Sequence, residues 1–248
     1  DVMLVLDVSG SMSNSQSVGA MVSATNQSIQ TLLDLNIRNR VGVILYSGNS
    51  SFRDSATPTA TRLLELNRYE SASGRFLSYN DNGGGESVSV ASGLQYEDGG
   101  NVTGVSKQVT GGTYIQNGIY QAMEELCAVT DTDVDGTKRI PIIVLMSDGA
   151  PTSGTNSYTN VGTSNIGNGG GTSAALGFLS QLTGAYARNQ IETHYGRDSL
   201  IYTLGLGLNS LGENDRNIAR AVLDPTQSTQ SIRSYWTIYQ DLGTGRTM

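Results

Sequence analysis

Short apolar runs and helically spaced apolar positions alternate along this chain. Residues 2–6 and 41–46 are unbroken apolar runs rich in β-branched side chains, and residues 140–146 form a third. Runs of that length read as strands buried on both faces. Residues 200–206 predict a further strand. Between the first two runs, Val18, Met21, Val22, Ile29, Leu32 and Leu33 recur at helical spacing, predicting a helix over about residues 16–35. Ile115, Ile119, Ala122, Leu126 and Val129 predict a second helix from Thr113, and Ala175, Phe178, Leu179, Leu182 and Tyr186 a third. A short helix from about Asp215 stops at Leu223, because Asp224 precedes Pro225 and so avoids helical backbone.

Strands alternating with helices specify an α/β fold. The expectation is a doubly wound, Rossmann-like central sheet, mostly parallel, with helices on both faces. Residues 61–66 predict one antiparallel edge strand beside residues 41–46. Two long insertions interrupt the alternation. Residues 67–108 show no sustained period; a turn at Asp81–Gly85, an alternating stretch at Ser87–Val90 and a turn at Glu97–Asn101 give this insertion hairpin character. Residues 150–172 are rich in Gly, Asn, Ser and Thr. In the tail, 226–248, Ile232, Tyr235, Trp236, Tyr239 and Leu242 fall at helical spacing, with Gly243 as a cap. The whole chain, 1–248, reads as one domain with these insertions.

Chemistry concentrates where the apolar runs end. The first is followed by Asp7-Val8-Ser9-Gly10-Ser11, which places one carboxylate and two hydroxyls in a tight turn at a strand's carboxyl end. That edge is where open α/β sheets bind ligands, and hard cations want such oxygens. The same residues also suit a strand-to-helix turn with serine caps. Gly111-Gly112-Thr113 opens the second helix, and the run at 140–146 ends in Ser147-Asp148-Gly149. Together these three stretches resemble the metal-ion-dependent adhesion site of von Willebrand factor A domains, the module shared with integrin I domains. The resemblance covers about residues 1–225, and the family's closing strand and helix are not evident in the tail. It implies that Ser9 and Ser11 bind a divalent cation through their hydroxyls. Thr113 would bind directly or through water, and Asp7 and Asp148 would bind directly or hold coordinated waters. Mg²⁺ is the expected ion, with Ca²⁺ or Mn²⁺ able to substitute. A partner's Asp or Glu would complete the coordination shell.

Composition narrows the partners. The net charge is −7 and the pI about 4.6, which argues against nucleic acid. Charged residues make up only 15% of the chain, so its polar surface is mostly Gly, Ser, Thr and Asn, as in secreted or surface-exposed bacterial proteins. Cys127 is the only cysteine, reads as a small hydrophobe, and cannot form an intrachain disulfide. No apolar run approaches the roughly 20 residues that span a bilayer, and no signal peptide is visible. The chain begins at its first strand, so it is expected to be an excerpt from a longer precursor.

Other motifs carry weaker chemistry. Asp131-x-Asp133-x-Asp135-Gly136 resembles the start of an EF-hand loop, but its twelfth position is Ile142, not Glu. Asp133-Val134-Asp135-Gly136-Thr137 looks like the nucleophile motif of haloacid-dehalogenase-type phosphatases, without the buried strand that motif needs before it. His194 is the only histidine and reads as a surface residue in a connector; no Gly-x-Ser-x-Gly elbow exists, and Gly167–Gly171 lacks a P-loop Lys. Three Asn-x-Ser/Thr sequons, at Asn26, Asn49 and Asn101, matter only in a eukaryotic secreted protein. No enzyme activity is expected. The expected function is metal-dependent adhesion or protein binding on a bacterial surface or pilus tip, or in the periplasm. Its partners would be host extracellular matrix or other pilus subunits. The alternative is a structural part of a pilus or secretion system, with metal as a fold element.

Overall fold

A computed structural model describes residues 1–13, 15–47, 60–81, 85–152 and 173–223. Strand β1 (Val2–Asp7) leads through a 3-10 turn (Gly10–Met12) into α1 (Ser15–Leu35), β2 (Val41–Tyr46) and β3 (Ala60–Asn67). Five short strands follow: β4 (Tyr69–Glu70), β5 (Leu77–Asp81), β6 (Glu86–Val90), β7 (Gln95–Tyr96) and β8 (Ser106–Gln108). The chain continues as α2 (Ile115–Cys127), β9 (Ile142–Ser147), α3 (Ser173–Tyr195), β10 (Leu200–Gly205) and α4 (Glu213–Leu223).

The main sheet has the order β10-β9-β1-β2-β3. Its first four strands are parallel, and β3 pairs with β2 antiparallel, as the sequence predicts. β1 lies at the centre, and all six of its residues are buried. Because side chains alternate along a strand, β1 feeds two cores. Val2, Leu4 and Leu6 join Val41, Val43 and Leu45 of β2 beneath Val18, Met21, Val22, Ile29 and Leu33 of α1. Met3 and Val5 face the other way with Ile44, Ile143 and Leu145, under Ile115, Ile119 and Leu126 of α2 and Ile191 and Tyr195 of α3. The third strand starts at Ile142 rather than at Ile140, and the carbonyl of Pro141 accepts from the Leu200 amide. Edge strand β10 leaves Leu200, Tyr202 and Leu204 about half exposed, at 42%, 54% and 47%.

The first insertion is more ordered than its sequence foretells. β5, β6 and β8 form a three-stranded antiparallel sheet, and β4 pairs with β7. Phe76, Leu77, Val88, Val90 and Leu94 from this segment join the α1 side of the core. Asn26 of α1 fastens it, accepting from the amides of Phe76 and Leu77 and donating to the Leu77 carbonyl. The second insertion is described only to Thr152, and the tail pattern at 226–248 lies outside the described residues.

Helix α3 also outruns its predicted pattern. Ala187, Ile191 and Tyr195 extend the buried face at four-residue steps, so His194 sits in the last helical turn rather than in a connector. Its ring packs edge-on against Tyr195, and its Nε2 lies 2.7 Å from the Val129 carbonyl oxygen.

Gly118 sets how closely α2 approaches the sheet. A Cβ there would come within 2.7 Å of Val5 and 2.8 Å of the Tyr46 ring, both fully buried. Alanine favours a helix over glycine by about 1 kcal/mol, but overpacking a filled core costs about 1–3 kcal/mol. Gly118→Ala should therefore destabilise the domain by about 1–2 kcal/mol in urea unfolding, against the helix-propensity trend. A gain in stability would show that α2 stands off the sheet.

Candidate metal centre

The winding of the sheet reverses between β1 and β9: the chain moves outward from β1 to β2 and β3, then returns to lay β9 and β10 on the other side. In doubly wound sheets the crevice at such a reversal, outside the carboxyl ends of the strands, receives ligands. Asp7 closes β1 and Asp148 immediately follows β9, so both acids stand at that crevice.

Asp7 is fully buried. Its Oδ1 accepts the Ser9 amide at 2.9 Å, an Asx turn that bends the chain back on itself. Its Oδ2 accepts from the Ser147 hydroxyl at 2.9 Å and lies 3.1 Å from the Tyr46 hydroxyl. The single Tyr46 proton has a second acceptor, the Met146 carbonyl at 2.8 Å. Ser9 Oγ and Ser11 Oγ are 3.1 Å apart, and the Ser11 hydroxyl donates to Asp148 Oδ1 at 2.8 Å. Two loops 137 residues apart in sequence thus meet through one hydrogen bond.

Thr113 arrives from a third direction. The Gly10 amide donates to the Gly111 carbonyl at 2.7 Å, and a Cβ on Gly10 would sit 3.1 Å from that same oxygen. Glycine at position 10 is what permits this approach. The Thr110 amide donates to the Val8 carbonyl, and the Ser47 hydroxyl to the Thr110 carbonyl. Thr113 itself is buried; a Cβ built on Gly149, next to Asp148, would lie 3.9 Å from its Oγ1. Thr152 clamps it from beyond Asp148: the Thr113 amide donates to Thr152 Oγ1, and the Thr152 amide to the Thr113 carbonyl. The structure therefore gathers Asp7, Ser9, Ser11, Thr113 and Asp148 around one crevice, with Ser11 exposed and Asp148 half-buried at its mouth.

Sequence reasoning missed the supporting residues Tyr46, Ser47, Ser147 and Thr152. The available signal was a polar side chain closing an apolar strand run, as Tyr46 closes β2 and Ser147 closes β9.

Charge in the crevice is uncompensated. Burial, then the neighbouring Asp148 charge, pushes the Asp7 carboxyl up from 3.8 to about 6, against the pull of its Ser9 and Ser147 hydrogen bonds. Burial raises Asp148 as well. Among the described residues neither acid pairs with a Lys or Arg; every ion pair lies elsewhere. Two carboxylates and three hydroxyls with no basic partner fit a hard divalent cation through its preferred oxygen donors.

The two competing acidic readings do not share this setting. Asp131, Asp133 and Asp135 lie at the opposite, amino-terminal edge of β1 and are neutralised by Lys138, Arg38 and Arg139. Asp133 sits in a turn closed by its amide donating to the Thr137 carbonyl, not at the end of a buried strand. Among the described residues no three His, Cys, Asp or Glu side chains converge as a metal cluster.

Residues 2–96 match the family model for the von Willebrand factor type A domain. The chain shares its fold with a pilus adhesin, SpaC from Lactobacillus rhamnosus GG, at 16% identity and a TM-score of 0.52. The match covers 98% of this chain and 29% of that one, so the chain spans under a third of the adhesin. A structure of the same adhesin in an open conformation aligns over the same shares at 16% identity, with a TM-score of 0.49. Among curated protein sequences, none matches. No helix of the described residues is long and apolar enough to cross a membrane.

The buried acid gives the metal-free fold a pH signature. A carboxyl that protonates more readily folded than unfolded stabilises the fold at low pH, and that contribution is lost as pH rises through the folded value. In chelator, Asp7 should therefore lose about 2 kcal/mol of relative stability between pH 4 and 7. Urea unfolding of the native domain and of Asp7→Asn across that range checks this. The difference between the two should move against the native domain as pH rises; a constant difference would mean that Asp7 is solvated.

Proposed function

We propose that this chain is a von Willebrand factor A-type domain acting as a metal-dependent adhesion module that binds a protein partner at a bacterial cell surface or pilus. The observation that carries the reading is the pair of carboxylates without a basic partner, Asp7 and Asp148, in a crevice with Ser9, Ser11 and Thr113. Ser9, Ser11 and Thr113 would offer hydroxyl oxygens to a divalent ion, Mg²⁺ by preference, with Ca²⁺ or Mn²⁺ able to substitute. Asp7 and Asp148 would balance its charge. Bound there, such an ion supplies an electrophilic position that an outside carboxylate can fill.

The chain's own residues do the positioning. Tyr46, Ser147 and the Ser9 amide hold the Asp7 carboxylate, so little rotamer freedom is lost on binding. Exposed Ser11 and half-buried Asp148 leave the crevice open on one side to a partner's Asp or Glu. The first insertion ends at this opening, where β8 runs into Thr110 and Thr113, and residues 150–152 follow Asp148 there. On this reading the loops that meet at the opening would supply specificity. The pilus adhesin that shares the fold supports a surface location.

The domain is read as binding rather than turning over substrate. Its only histidine lies against a backbone carbonyl, and its aspartate-rich loop is tied up by guanidinium and ammonium groups.

Titrating the chelator-stripped domain with Mn²⁺ should give one saturable event, weakened at least about tenfold in Ser11→Ala, whose exposed position spares the fold. Binding to a panel of extracellular-matrix proteins should disappear in EDTA and in Asp148→Asn. Adhesion that survives both treatments would sink the metal-mediated reading. A large fall in melting temperature on chelation, with no panel binding, would instead favour a structural role in pilus or secretion assembly.

A further inference from the structure

A cavity of about 220 Å³ opens between α2, α3 and α4 over one face of β9 and β10. Its floor and walls are Ile119, Leu145, Ile201, Val222 and Leu223. Arg188 of α3 lines the same space, and its Nε is buried with no hydrogen-bond acceptor. Arg188 takes part in no ion pair among the described residues. A buried guanidinium N–H left without an acceptor is costly, so it is a strong invitation to an anion. An apolar cavity of about 150 Å³ already takes up benzene, so this one has room for a somewhat longer body.

We propose that this cavity binds a small organic monocarboxylate, its carboxylate on Arg188 and its apolar body, about six to eight carbons long, against Ile119, Leu145, Ile201 and Val222. The hydroxyls of Ser180 and Thr203, which also line the cavity, donate to the carbonyls of Leu176 and Leu223 and keep lone pairs for a bridging water. The cavity shares no lining residue with the Asp7 crevice and lies on the sheet face covered by α2 and α3.

Octanoate and its neutral counterpart octanamide separate charge recognition from simple filling of an apolar space. Calorimetry on the full chain should show saturable octanoate binding, about tenfold tighter than octanamide. Arg188→Met should erase that preference. Gly184→Leu should block both probes. Gly184 lines the cavity and a Cβ there meets no heavy atom within 4 Å, so a larger side chain starts in open space, and an unchanged melting temperature would verify the fold. Equal affinity for the two probes, octanoate binding untouched by either variant, or no saturation by about 10 mM would each overturn the proposal.

Discussion

A carboxylate with no access to solvent sits at the end of the central strand, and much of the structure exists to keep it there. Burying an ionised acid is expensive unless donors surround it. Asp7 meets that requirement with one backbone amide and two hydroxyls drawn from three strands or their ends: Ser9 after β1, Tyr46 on β2 and Ser147 on β9. Those strands are the three adjacent members at the middle of the sheet. The register that aligns β1 with β2, Asp7 opposite Tyr46, is therefore also the register that builds the acid's surroundings. A one-residue slip would turn every side chain to the wrong face and remove the Tyr46 hydroxyl from the carboxylate.

The same sheet order decides where the loops meet. Returning to lay β9 beside β1 brings Asp148 to Ser11 across 137 residues, while the chain between them supplies Thr113 from the start of α2. Close packing on both faces then leaves little freedom. Gly118 lets α2 press against Tyr46 and Val5, and Gly10 lets the first loop press against Gly111. Packing and site geometry are here a single constraint, since the Tyr46 ring that fills the core also carries the hydroxyl that faces Asp7.

What could be read from the sequence follows from which features have a period. Strands buried on both faces announce themselves as unbroken apolar runs, and β1 and β2 fall where those runs lie. The polar loop after β1 stood out because Asp7, Ser9 and Ser11 interrupt so apolar a context. The insertion sheet was only partly legible. Its β8 is three residues long, and its strands mix Ser, Asn and Tyr with few apolar positions, so only the alternation in β6 was visible. The end of α3 was hidden because polar triplets separate Ala187, Ile191 and Tyr195. Tyr46 and Ser147 escaped for another reason: a lone polar residue closing an apolar run has no periodic mark, and only the fold reveals what it touches.

The two edges of the sheet handle their acids in opposite ways. At the amino-terminal edge, Arg38, Arg40 and Arg139 join Asp1, Asp133 and Asp135 in a connected network of ion pairs, and Lys138 pairs separately with Asp131. At the carboxyl edge, Asp7 and Asp148 repel one another and no basic side chain of the described residues offsets them. A chain selected only for stability could place a Lys or Arg in that crevice, as it does at the other edge. Leaving two acids unmatched at a built, partly enclosed position costs stability in the metal-free fold. Such a cost is tolerated where a site needs the strain for its function. The compensated edge anchors the sheet, and the uncompensated edge is where the proposed cation would restore the balance of charge.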